Sequence, residues 1–110
     1  MSIEAGSLVV AHCQNPKEKI WGELLSIDVA GVVVRGLDLS SVEDWLRQER
    51  EGDERFIAPT TVFVPMHRVE RVYLDESSPM ASSFADRYAE APGGDVRDAL
   101  AGRGREASSD

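Results

Sequence analysis

A chain of 110 residues with 42% apolar content can fill one domain with a thin core but not two. Its formal net charge of −8 and pI near 4.7 argue against a nonspecific nucleic-acid binder, because such binding draws most of its free energy from Lys and Arg displacing counterions from phosphate. Residues 1–76 alone carry 8 Lys and Arg against 14 Asp and Glu, so any nucleic acid would need a local basic patch. A single cysteine, Cys13, precludes an intramolecular disulfide. The opening MSIEAGSLVV has neither the basic start nor the apolar run of a signal peptide or membrane span. The expected location is a reducing cytoplasm, with no membrane partner.

The first expected strand is 7–13. Leu8, Val10 and His12 alternate with Val9, Ala11 and Cys13, so both of its faces should be covered. Asn15-Pro16 breaks it, and Lys17-Glu18-Lys19 reads as a solvated hairpin tip. A second strand starts at Ile20 or Trp21, with Gly22 at a sharp bend. Asp28-Val29-Ala30-Gly31 makes the next turn, and Val32-Val33-Val34 begins the returning strand. A helix is expected over 41–51. Ser40 or Ser41 would cap it with Glu43 as capping-box partner; Val42, Trp45 and Leu46 form its apolar stripe, and Gln48 falls on the polar side.

An extended path resumes from Phe56, clearest at 60–64. Pro65-Met66-His67-Arg68 forms a tight turn, and 69–74 is the last strand, Val69, Arg71 and Tyr73 opposing Glu70, Val72 and Leu74. From residue 77 to 110 the composition shifts to a tail. A helix near 80–91 is expected there, with Pro79 in its first turn, then a short helical turn around 96–100 and disorder from Gly102 onward. The fold class is therefore mainly β: a five-stranded, strongly bent small barrel over 1–76, a helical insert at 41–51 between strands three and four, and a partly helical tail over 77–110.

The two β segments resemble the Sm-like family over roughly residues 7–75. Gly22, Leu24, Ile27 and Asp28 match its first motif in order, and 62–64, 65–68 and 69–74 look like the strand, turn and strand of its second. The resemblance implies an SH3-like barrel whose fourth and fifth strands pair between protomers to close a ring of about five to seven chains. The sequence departs from the family at informative points. Gly31 and Val32 stand where RNA-binding members carry a base-reading asparagine, the usual arginine-glycine pair of the second motif is absent, and only about six residues precede the first strand where the family has a helix.

Four residues are candidates for an RNA site: Asp28 in the first turn, Arg35 on the returning strand, and His67 with Arg68 in the second turn, where they would line a pore and hold phosphate. Three have a plainer role, Asp28 as a turn residue, and His67 and Arg68 as a structural turn bonding backbone carbonyls or pairing with Glu70. His12 and Cys13 are adjacent on a strand, face opposite sides and do not make a metal site together. Trp21 and Trp45 read as core or interface, and Cys13 as a small buried hydrophobe. No catalytic residue, cofactor site or metal site can be assembled, so an enzyme is not expected. Three readings follow: a non-enzymatic ring-forming assembly module with a protein partner on its tail, an RNA-binding ring, and a monomeric SH3-like peptide-binding or regulatory domain.

Overall fold

The computed structural model describes residues 2–52 and 56–102. Five antiparallel strands form one open sheet: β1 (Leu8–Cys13), β2 (Glu18–Asp28), β3 (Gly31–Asp38), β4 (Thr60–Pro65) and β5 (Val69–Leu74), in spatial order β4-β3-β2-β1-β5. Helix α1 (Val42–Glu51) links β3 to β4, a single 3-10 turn, Met66–Arg68, links β4 to β5, and helices α2 (Phe84–Tyr88) and α3 (Val96–Ala101) follow.

Both faces of the sheet are apolar, as the β1 pattern requires. Val9, Ala11 and Cys13 join Ile20, Leu24, Val32, Val34 and Val64 in an inner cluster flanked by Val62, Met66, Val69, Val72 and Leu74. Every member comes from the sheet or from the turn joining its edges, so the sheet covers this face by curling over itself. Leu8 and Val10 point the other way, into an outer cluster with Trp21, Leu37, Val42, Trp45, Leu46, Tyr88, Val96 and Leu100. Three helices cover that face. Trp21 and Trp45 are fully buried with ring centroids 5.8 Å apart, and Tyr88 stacks on Trp45 at 5.9 Å.

The curl has local causes. Gly22 and Gly36 sit opposite each other where β2 crosses β3. A Cβ on Gly22 would lie 2.7 Å from the Gly36 Cα, and one on Gly36 would lie 2.6 Å from the Gly22 Cα. Only glycine permits that approach. The β2–β3 register shifts between Leu24 and Ser26, leaving Leu25 as an extra residue, and the β1–β5 register shifts at Cys13, leaving Glu70 unpaired. The second bulge corrects the strict alternation expected for 69–74: it brings Val69 onto the inner face together with Val72 and Leu74.

Other expectations change for identifiable reasons. Glu18 and Lys19 pair with β1 and so belong to β2 instead of a hairpin tip. Asp38, not a serine, accepts from the Ser40 amide and opens the helical segment, and Ser41 makes no side-chain cap bond. Glu43 is taken by Arg87 of α2, which donates to its two oxygens at 2.8 and 2.6 Å. That bond holds the Glu43 carboxyl below the usual carboxylate range. The folded value is the lower one, so the pair's stabilisation is present above the unfolded value and is lost as pH falls through the folded one. Gln48 is buried, not solvated: its Oε1 accepts from the Phe56 and Ile57 amides at 2.9 and 3.1 Å while its Nε2 donates to the Ile57 carbonyl at 2.8 Å. It thereby fastens the segment that leads into β4, which starts at Thr60.

The 80–91 helix is shorter than expected. Ser83 caps it through the Asp86 amide at 3.0 Å, Pro79 precedes it, and the chain turns extended at Ala91. The division at residue 76 marks a change of composition, whereas the outer core extends past it through Tyr88, Val96 and Leu100. Asp75 makes that extension. One carboxylate accepts from the Trp21 indole Nε1 and from the Phe84 and Ala85 amides, each at 3.1 Å. Farther along, Arg97 Nε donates to the Gly6 carbonyl at 2.7 Å. Of the disorder expected from Gly102 onward, Gly102 itself is the left-handed C-cap of α3, and 103–110 lie outside the described residues.

Two substitutions test this architecture. Gly36→Ala should lower the unfolding free energy by about 3 kcal/mol in urea titrations, since the new methyl meets backbone that cannot yield. Asp75→Ala should cost about 2–4 kcal/mol and shift Trp21 fluorescence, because it leaves a buried indole donor and two helix amides without their acceptor.

Candidate functional site

The second turn is the joint of the sheet. Met66 N donates to the Ala30 carbonyl at 2.9 Å, tying the turn to the β2–β3 corner. Gln14 N donates to the Arg68 carbonyl at 2.8 Å, tying it to the β1–β2 hairpin. Arg68 completes the joint with its side chain: Nε donates to the Gln14 carbonyl at 3.1 Å, and Nη2 donates to the Pro16 carbonyl at 3.0 Å and to Glu18 Oε2 at 3.3 Å. Its acidic partner is thus Glu18, not Glu70. A guanidinium engaged this way acts as a fixed strut.

The other three candidates do not converge on it as one site. Asp28 is exposed and its Oδ1 accepts from the Ala30 amide at 2.8 Å, the ordinary work of an aspartate opening a turn. Its corner adjoins the Met66–Arg68 turn, because Gly31 pairs with Pro65. His67 is exposed in that turn. Arg35 lies toward the opposite end of β3, between Glu23 and Thr61, and its Nε donates to Thr61 Oγ1 at 3.3 Å. Asp28 and His67 therefore share one corner of the molecule, Arg68 is built into the joint behind it, and Arg35 is separate.

Cys13 lies in the inner cluster and His12 on the outer face, the opposite placement expected of strand neighbours. Burial, reinforced by Glu18, pushes the Cys13 thiol up. Among the described residues no group of three or more His, Cys, Asp or Glu is arranged to hold a metal ion.

A different cluster did not emerge from the sequence. Lys19, His12 and Arg71 are register partners on β2, β1 and β5, so they form one row across three strands. Tyr73 stands beside it, its hydroxyl 2.6 Å from His12 Nε2 and its ring edge-on to the imidazole at 4.8 Å. Desolvation, then Lys19, then Arg71 hold the His12 imidazole below its usual value, with Glu70 opposing weakly. Hairpin arithmetic around Asn15-Pro16 would have put Lys19 opposite His12; Arg71 could not be placed because β1–β5 pairing is remote in sequence.

No family model matches the chain, and neither a curated protein nor a solved structure shows detectable similarity to it.

Arg68→Ala should lower stability by about 2 kcal/mol in thermal or urea unfolding by leaving two backbone carbonyls and Glu18 unserved. Cys13 should react slowly with an aromatic disulfide reagent in the native protein and faster in that variant, as the Cys13–Val69 pairing loosens.

Proposed function

We propose that the chain is a non-enzymatic, Sm-like assembly module, an SH3-like barrel protomer whose edge strands pair between copies to build a ring of about five to seven subunits. The observation that carries this reading is the pair of matched free edges. Strands β4 and β5 each have six residues, lie at opposite ends of the sheet order and pair on one side only.

Hydrogen-bond alternation identifies the groups available for pairing. The Met66–Ala30 bond sets the phase on β4, so 60, 62 and 64 direct their amides and carbonyls to β3, whereas 61 and 63 direct theirs outward. Pro65, which has no amide hydrogen, falls on an outward position. On β5 the bond from Asp75 N to the Leu8 carbonyl sets the phase, and Val72 and Leu74 direct theirs outward. Side chains match as well. Val62 and Val64 on one edge, and Val72 and Leu74 on the other, belong to the same inner face, so pairing across copies would continue that core. Unpaired apolar edges favour aggregation unless covered, and a neighbouring copy covers both. Phe63, 56% exposed, sits at the β4 edge.

The RNA-binding reading has less support, because Arg68, its main phosphate ligand, is committed to backbone carbonyls and Glu18. A monomeric peptide-binding domain would use one edge and leave the other bare.

Native mass spectrometry of the purified protein should give a closed oligomer. Phe63→Pro, which removes an outward amide while sparing the β3 ladder, should keep the circular dichroism of the parent and lower the subunit count. A parent protein that is monomeric at micromolar concentration would overturn the reading, as would an oligomer indifferent to this substitution.

A further inference from the structure

We propose that the row Lys19–His12–Arg71, with Tyr73 at its side, is a binding site for a phosphate group on the outer face of the sheet. The site stands on observations separate from those behind ring assembly. In an antiparallel sheet, directly opposed side chains of neighbouring strands approach to about 5 Å, and like charges so placed repel each other. Here Lys19 and Arg71 flank His12 from either side on a chain of net charge −8. Among the described residues neither the Lys19 ammonium nor the Arg71 guanidinium makes a hydrogen bond or an ion pair. Other arginines among the described residues are largely occupied: Arg47 with Asp44, Arg68 with Glu18, Arg87 with Glu43 and Arg97 with Asp95. A positive row that makes no ion pair, in a protein with acid to spare, fits an external anion.

The donors suit a tetrahedral oxyanion. Lys19 offers an ammonium, Arg71 a planar fork, and the imidazole between them a ring N–H. When the Tyr73 hydroxyl donates to His12 Nε2, the imidazole proton rests on Nδ1, available to the ligand. The groups that face His12 are Lys19 from β2 and Glu70, Arg71 and Tyr73 from β5. Two of the three charged ones disfavour the imidazolium in the free protein. A bound phosphate reverses that balance, so the imidazole gains affinity for its proton on binding. Phosphate in this site has two sources, a free or small-molecule phosphate and the backbone of a single-stranded nucleic acid, for which Tyr73, 42% exposed, would supply a stacking surface.

The test uses the full chain. Inorganic phosphate is titrated at ionic strength held constant with chloride, and in parallel a single-stranded uridine oligonucleotide is titrated at two salt concentrations, both followed by the His12 ring signals in NMR. Phosphate should shift those signals and raise the His12 titration midpoint. Lys19→Gln and Arg71→Gln should each weaken binding about fivefold without altering the fold, as expected for exposed charge contacts. Saturation by inorganic phosphate alone assigns the site to a free phosphate. Tighter, salt-dependent binding of the oligonucleotide, weakened by the same substitutions, assigns it to a nucleic-acid backbone. His12 signals that respond to neither ligand beyond the chloride control overturn the proposal, and so does binding unaffected by both substitutions. The outcome is independent of subunit count.

Discussion

The structure depends on a sheet that is dry on both sides. A single small sheet can usually leave one face to water, but here β1 and β2 carry large apolar side chains on alternating sides, and neither face can be exposed without cost. The two faces are covered by different means. The inner one is covered by curvature, made by the Gly22–Gly36 crossing and the two bulges; the outer one needs material from elsewhere, which α1, α2 and α3 supply. Trp21 couples these solutions. Its ring fills the outer core beside Gly22, and its indole proton needs an acceptor, which Asp75 provides while also holding the start of α2. One buried polar atom thus joins the end of the sheet to the helices that cover it.

Much of the sheet was legible because its signals are local. The alternation of 8–13, the Asp28–Gly31 turn, the run Val32–Val34 and the Trp45 stripe each carry their own periodicity, and each forms the expected element. The misreadings share a cause, which is remote partnership. Gln48 looks solvent-facing until the chain at Phe56 and Ile57 returns to meet it. Glu43 looks like a capping residue until Arg87 claims it, and the 77–102 stretch looks tail-like because its few large residues are spaced for a surface some distance away in sequence. Bulges are similarly invisible: nothing in VERVYL marks Glu70 as the extra residue, which only the pairing with β1 defines.

The site residues divide along the same line. Arg68 and Asp28 stand out in the sequence because polar residues in turns do, yet their bonds are internal and serve the backbone. The Lys19–His12–Arg71 row draws no notice in the sequence, since its members are 7 and 52 positions apart and only the strand register aligns them. Charge matters here less as a total than as a pattern. An acidic chain can still hold a small positive field where three adjacent strands each contribute one nitrogen-bearing side chain at the same level.

The contact between Arg97 and the Gly6 carbonyl closes a loop over nearly the whole described chain. A ribosome delivers Gly6 early and Arg97 late, and Val96, Ala99 and Leu100 arrive with the latter. Until then the outer cluster lacks the three members that α3 supplies. The outer core is therefore completed only after synthesis has passed residue 101, and the nascent sheet must cross that interval with part of an apolar face uncovered.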